Sequence, residues 1–104
     1  MDRVGKLQKM LGENSEDSFL QHALALEFIK LGDDAPAESL FKKILQREPG
    51  YVGSYYHLGK LLERKPDVVE ATYIYKTGMA EAQKAGDQHS LNELRMALED
   101  LEED

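Results

Sequence analysis

The sequence predicts an all-α chain built from repeated helical hairpins. Three observations lead there. Shifted forward by 34 residues, the stretch 18–50 falls in register with the one that follows: Leu24 on Leu58, Phe28 on Leu62, Asp33 on Asp67, Ala37 on Ala71 and Phe41 on Tyr75. Self-similarity at a period of this size marks stacked supersecondary units. Apolar residues recur at helical spacing along nearly the whole chain, and nowhere do they alternate as a half-buried strand would require.

The first element spans 3–11, where Val4, Leu7, Met10 and Leu11 share one stripe. Gly5 weakens it by about 1 kcal/mol relative to Ala, and Gly12, Asn14 and Ser15 end it. Ser15 or Asp17 then offers an oxygen to a free N–H in the first turn of the next helix. That helix, 18–31, is apolar almost all round, with Phe19, Leu20, Leu24, Leu26, Phe28 and Ile29 among its residues. A helix of this kind needs cover on more than one side. Gly32 suits a left-handed closing position and the aspartates after it suit a new start. Pro36 sits in the first turn of 34–47, where no intrahelical donor is lost. Ala37, Leu40, Phe41, Ile44 and Leu45 face inward, and Pro49-Gly50 ends the helix.

The second unit repeats this logic. Residues 52–64 carry Val52, Tyr55, Leu58, Gly59, Leu61 and Leu62. Pro66 is expected to force Lys65 out of the helical region. Asp67 and Glu70 have capping-box spacing. The longest helix follows over 67–85, with Ala71, Ile74, Tyr75, Gly78, Met79 and Ala82 inward. After Gly86-Asp87, residues 88–102 put Leu91, Leu94, Leu98 and Leu101 on a single stripe. One sticky face is the mark of an end cap.

Bulk composition narrows the function. The chain has 104 residues, enough for one modest core, and a net charge of −7. That charge disfavours nucleic acid and anionic lipid, since both need a basic face. No cysteine is present, which excludes disulfides, thiolate metal sites and a thiol nucleophile and fits a reducing compartment. The N-terminal stretch lacks the apolar run of a signal peptide and nothing approaches a membrane span, so the expected location is cytoplasmic.

The repeated positions carry a recognisable pattern. The second unit reads Tyr55-x2-Leu58-Gly59-x2-Leu62 and then Ala71-x3-Tyr75; the first reads Gln21-x2-Leu24-Ala25-x2-Phe28, then Gly32, Ala37-x3-Phe41 and Pro49. Both resemble the tetratricopeptide repeat (TPR), a helix–turn–helix unit of 34 residues. The resemblance implies an all-α, TPR-like superhelix of about two and a half repeats plus a C-terminal capping helix. A single domain would then comprise a half-repeat helix over 1–14, one repeat over 15–50, a second over 51–86, and the capping helix with an acidic tail over 87–104. Small residues belong where the two helices of a unit cross, at Ala25, Gly59, Ala37 and Ala71, and large ones are expected to fill the gap to the next unit, at Phe41 and Tyr75. Gln21 departs from the pattern, standing where the family has an aromatic, and Gln83 stands where a closing proline would be.

In this family the first helices of successive units line a concave groove. Its ligand-contacting positions map onto Phe19, His22, Leu26, Ile29 and Lys30 in the first unit, and onto Gly53, Tyr56, Lys60, Glu63 and Arg64 in the second. The expected function is a non-enzymatic protein–protein interaction scaffold holding a peptide or helix there. Phe19, Leu26, Ile29 and Tyr56 would supply apolar burial, and Lys60 and Arg64 would orient the guest. The alternatives are a structural protein whose groove makes a homodimer, or self-coverage of the same side chains by the N-terminal helix. The Lys/Asn/Arg clamp with which some members grip chaperone C-termini is absent; His22, Leu26 and His57 stand near those places.

No catalytic, cofactor or metal site is expected. His22, His57 and His89 lie on three different helices, none with a His partner one turn away, which metal binding would favour. The many carboxylates sit at helix ends and on solvated faces, and the Gly-containing segments lack the Lys of a phosphate loop. The acidic run 99–104 opposes the helix dipole at its own C-terminus.

Overall fold

The computed structural model describes residues 2–103 and contains six helices, with no strand among the described residues. They are α1 (Arg3–Glu13), α2 (Ser18–Lys30), α3 (Asp34–Arg47), α4 (Gly53–Arg64), α5 (Val68–Ala85) and α6 (Gln88–Glu102). They form two compact units, one ending at Arg47 and holding α1–α3, the other beginning at Glu48 and holding α4–α6.

In the first unit α1 and α2 each start on an aspartate cap. The Asp2 carboxylate accepts from the Gly5 N–H at 2.6 Å, and Asp17 accepts from the Leu20 N–H at 3.0 Å. Of the two caps offered to α2, Asp17 is therefore the one used. Gly32 has φ +77°, which only glycine adopts without strain. It lets the Gly32 N–H reach the Ile29 carbonyl at 2.9 Å and the Asp33 N–H reach the Phe28 carbonyl at 2.8 Å, so two orphan acceptors at the end of α2 are satisfied.

The core between α1 and α2 is Leu7, Leu20 and Leu24, flanked by Val4, Leu11, Ala23, Phe28 and Leu40. Met10, placed on that stripe by periodicity, is 49% exposed. It lies at the edge of the stripe beyond Leu7, where α1 turns toward solvent. On the α3 side, Ala25, Ala37, Phe41 and Ile44 have no exposed surface, and the Phe41 ring meets the His22 ring edge-on at 5.6 Å. α2 is thus covered by α1 on one side and α3 on another, as its apolar girth demands.

In the second unit α4 begins without a side-chain cap. Lys65 keeps helical dihedrals (φ −59°, ψ −34°) ahead of Pro66, contrary to expectation, and the Lys65–Pro66 peptide bond is cis. The Asp67 N–H donates to the Leu62 carbonyl at 2.7 Å while its carboxylate accepts from the Glu70 N–H at 3.0 Å. The same double role recurs at Asp87, whose N–H donates to the Ala82 carbonyl at 2.9 Å and whose carboxylate takes the Ser90 N–H at 3.0 Å and the Ser90 hydroxyl at 2.8 Å. These bonds hold the Asp87 carboxyl below its usual range. Gly86, at φ +70°, makes the turn between them.

Two glycines set how closely the three helices approach. A Cβ on Gly59 would overlap the Tyr75 ring, and one on Gly78 would stand 2.6 Å from Tyr55 Cβ and 3.0 Å from Leu94 Cδ1. Gly78 is therefore where α4 and α6 both press on α5. Tyr75, expected to reach toward a neighbouring repeat, packs its ring against Gly59 inside its own hairpin, because only glycine leaves room for a ring there. Leu94, Ala97 and Leu98 bury the inner face of α6, with Leu91 and Leu101 half-buried at its ends.

Candidate functional site

The residues assigned to binding divide by helix. On α2, Phe19 is 69% exposed although its neighbour Leu20 is buried in the core with α1. Leu26 and Ile29 are half-buried and, like Phe19, stand outside that core. The N-terminal helix instead covers Leu20, Ala23, Leu24 and Phe28, and its Arg3 reaches Glu27 at 3.2 Å. Lys30 is exposed and pairs with Glu27 at 3.3 Å, while His22 is half-buried with its ring on Phe41.

On α4 the structure joins three of the five assigned residues, Tyr56, Lys60 and Glu63, into one cluster. The Lys60 ammonium stands 5.7 Å from the centroid of the half-buried Tyr56 ring and 3.9 Å from Glu63. Glu63 in turn accepts a hydrogen bond from the Tyr75 hydroxyl on α5. Tyr56, Lys60 and Glu63 lie about one turn apart on one face, which is why they meet. Arg64 is exposed at the end of the helix. Burial, then the hydrogen bond to Glu63, raises the Tyr75 phenol far above its ordinary range, so it stays a donor. The neighbouring His57 ring packs edge-on to Tyr56 at 5.6 Å. Burial lowers its pKa, with the Glu93 charge opposing.

Sequence reasoning missed a polar network in the first unit. Gln21 and Ser18 are only 6% and 7% exposed. Both accept from Arg47 Nη2, Gln21 Oε1 at 2.9 Å and Ser18 Oγ at 2.6 Å, and Gln21 Nε2 donates to the Ser15 carbonyl at 3.1 Å. The signal was the repeat itself. Thirty-four residues on, the Tyr55 hydroxyl donates to the Pro49 carbonyl at 2.5 Å, so Gln21 and Tyr55 make the same link to the carbonyl six residues upstream. Burial, and then the charges of Glu81 and Tyr73, push the Tyr55 pKa up to about 12.

Among the described residues no three His, Asp or Glu side chains converge to hold a metal ion, and no helix is long and apolar enough to cross a membrane.

The chain matches no protein-family model. A TPR repeat-containing protein of Pseudomonas aeruginosa is 25% identical over 96 residues, covering 92% of this chain and 91% of that one. A tetratricopeptide repeat domain protein from Salinibacter ruber is 40% identical over 83% of this chain. Its solution structure aligns over 87% of its own length with a TM-score of 0.79, and its crystal structure over 96% with a TM-score of 0.80. The solution structure of a Bordetella parapertussis protein, 26% identical, covers 97% of this chain and 88% of its own with a TM-score of 0.83.

Proposed function

The chain belongs to the tetratricopeptide repeat family, and on that premise we propose that it is a non-catalytic scaffold that binds a peptide or helix on the exposed faces of α2 and α4. Protein–protein interaction is the general role of the fold. The finer reading names the contacts. Phe19, Leu26, Ile29 and Tyr56 would bury apolar surface. His22 and Lys30 flank them on α2, and Lys60, Glu63 and Arg64 on α4 would orient the guest by charge. A cytoplasmic location suits a cysteine-free chain.

The observation that carries this reading is Phe19. A phenylalanine at 69% exposure, next to a buried leucine, leaves its ring in water for no reason internal to the first unit. Covering such a ring stabilises a complex by roughly 1.5–3 kcal/mol, the scale of an interface anchor.

The test is a peptide selected from a display library on the full chain, with binding measured by calorimetry. Phe19→Ser and the pair Leu26→Lys with Tyr56→Ala should each weaken it at least tenfold while leaving the circular dichroism spectrum unchanged. Undiminished binding by both variants rejects the reading. Sedimentation of the free chain checks the homodimer: a tight dimer dispersed by Ile29→Asp would replace the guest peptide with a second copy.

A further inference from the structure

α1 and α6 occupy opposite halves of the repeat. Moved forward by 34 residues, α1 falls on α3, the second helix of the first hairpin; moved back by 34, α6 falls on α4, the first helix of the second. Inside the complete hairpins Ala25, Ile44 and Leu62 have no exposed surface, and Gly59 and Ile74 are buried. Their equivalents on the two outer helices are exposed and changed in kind. Glu93 holds the place of Ala25 and Gly59, Lys6 that of Ile74, Met10 that of Ile44 and Met96 that of Leu62.

The changes have opposite sign on the two helices. Residues 3–12 hold Arg3, Lys6 and Lys9 and no carboxylate, whereas 96–103 hold four carboxylates and no cation. Neither Lys6 nor Glu93 has an ion pair among the described residues; Arg3 is already on Glu27 at 3.2 Å. Beside these charges Met10 and Met96 stand 49% and 64% exposed, and methionine is the apolar residue that interfaces use for adaptable contact. The intact hairpins fix which residues an α6–α1 hairpin would join. Arg47 bonds Gln21 in the first, and Tyr75 packs on Gly59 in the second. Carried along by the repeat offset, the first pair becomes Glu13 with His89, and the second brings Glu93 level with Leu7 and its neighbour Lys6. Antiparallel pairing also sets Glu99 and Asp100, which oppose the dipole of α6, beside the positive N-terminal end of α1.

We propose that a second copy of this chain docks here: α6 of one copy pairs antiparallel with α1 of the next, as α2 pairs with α3, with Lys6 meeting Glu93 and the two methionines covered. Charge selects this occupant. Two chains of net −7 repel each other, so a contact between them has to bring opposite charges together, and α1 and α6 carry them in matching register. The contact joins different surfaces of the two copies, so a pair still offers one α1 and one α6, and association continues or closes in a ring. It uses neither the α2 face nor the α4 face and does not rest on the peptide reading.

The test is sedimentation velocity of the full chain from about 10 μM to about 1 mM at low salt. The average mass should rise with concentration, with a Kd on the order of 100 μM for so small a contact, and the rise should shrink at about 0.5 M salt. Lys6→Glu and Glu93→Lys each set like charges against one another and should each weaken association roughly tenfold. The two together in one chain restore the opposite signs and should recover it to within about threefold. Both positions are exposed, so the circular dichroism spectrum should stay that of the parent. A monomer at every concentration, undiminished association in either single variant, or a double variant no better than the singles would each overturn the proposal. Association lost in Ile29→Asp but kept in Lys6→Glu would overturn it as well, by placing the contact on α2. Binding of the selected peptide, read through Phe19→Ser, is a separate measurement that none of these results decides.

Discussion

Gly59→Ala is the sharpest probe of the packing described above. The added methyl would stand 2.6 Å from Tyr75 Cζ, 2.7 Å from Cδ1 and closer still to Cε1, where carbon pairs rest at about 3.5–4.0 Å. The Tyr75 ring cannot slide away cheaply, since it is fully buried and its hydroxyl is held by Glu63. The overlap therefore belongs at the upper end of the roughly 1–3 kcal/mol cost of overpacking. Against it stands the helix-propensity gain of Ala over Gly, about 1 kcal/mol. The net is a loss of about 2 kcal/mol, or about 10 °C in Tm for a chain of this size. Gly12→Ala is the matched control: the same substitution near the end of α1 meets nothing within 4 Å and should stabilise by about 0.5 kcal/mol. Thermal unfolding followed by circular dichroism reads both. Adding Tyr75→Phe, which releases the hydroxyl and lets the ring shift, should recover part of the loss. A Gly59→Ala chain as stable as the parent would refute the claim that Gly59 exists to admit Tyr75.

Three further outcomes follow from the polar contacts. Arg47→Met strips two buried acceptors, Ser18 and Gln21, of their donor, and urea unfolding should show a loss of about 1–3 kcal/mol. Tyr55→Phe removes the bond to the Pro49 carbonyl and should cost about 0.5–1.5 kcal/mol, with the spectrum of the folded chain unchanged. The third concerns pH. Burial holds the His57 pKa below its usual 6.5, so the unfolded chain takes up this proton first. Its contribution to stability is complete above pH 6.5 and is lost as pH falls through the lowered folded value. Chemical denaturation across that window should give a slope that flattens in His57→Gln, and an unchanged slope would reject the assignment.

Much of this was legible beforehand because the informative residues act locally. Gly32 and Gly86 both take positive φ, and Asp17, Asp67 and Asp87 all cap the helices they precede. Such features depend on neighbours a few positions away, so the spacing of residues reveals them. Direction was harder than existence. Tyr75 was rightly expected to be buried, but which surface its ring covers is decided by the glycine opposite, not by its own helix. Met10 shows the same limit at a stripe's edge, where period alone cannot say how wide the covering helix is. Gln21 departs from the repeat pattern by standing where the family has an aromatic. Its partner Arg47 is 26 residues away, and no local pattern pairs them. On the proposed binding face of α4, Tyr56, Lys60 and Glu63 were legible as one surface from helical spacing, whereas the Tyr75 hydroxyl that anchors Glu63 comes from another helix.

The aspartates at 67 and 87 have a mechanical consequence. Each clasps the helix behind it through its amide and the helix ahead through its carboxylate. Neither helix can unravel from that corner without loosening the other. The corners of the second unit are thus rivets rather than hinges, and thermal wear on α5, pinned at both ends, must begin elsewhere. Slow hydrogen exchange at the Asp67 and Asp87 amides would be the visible trace of that design.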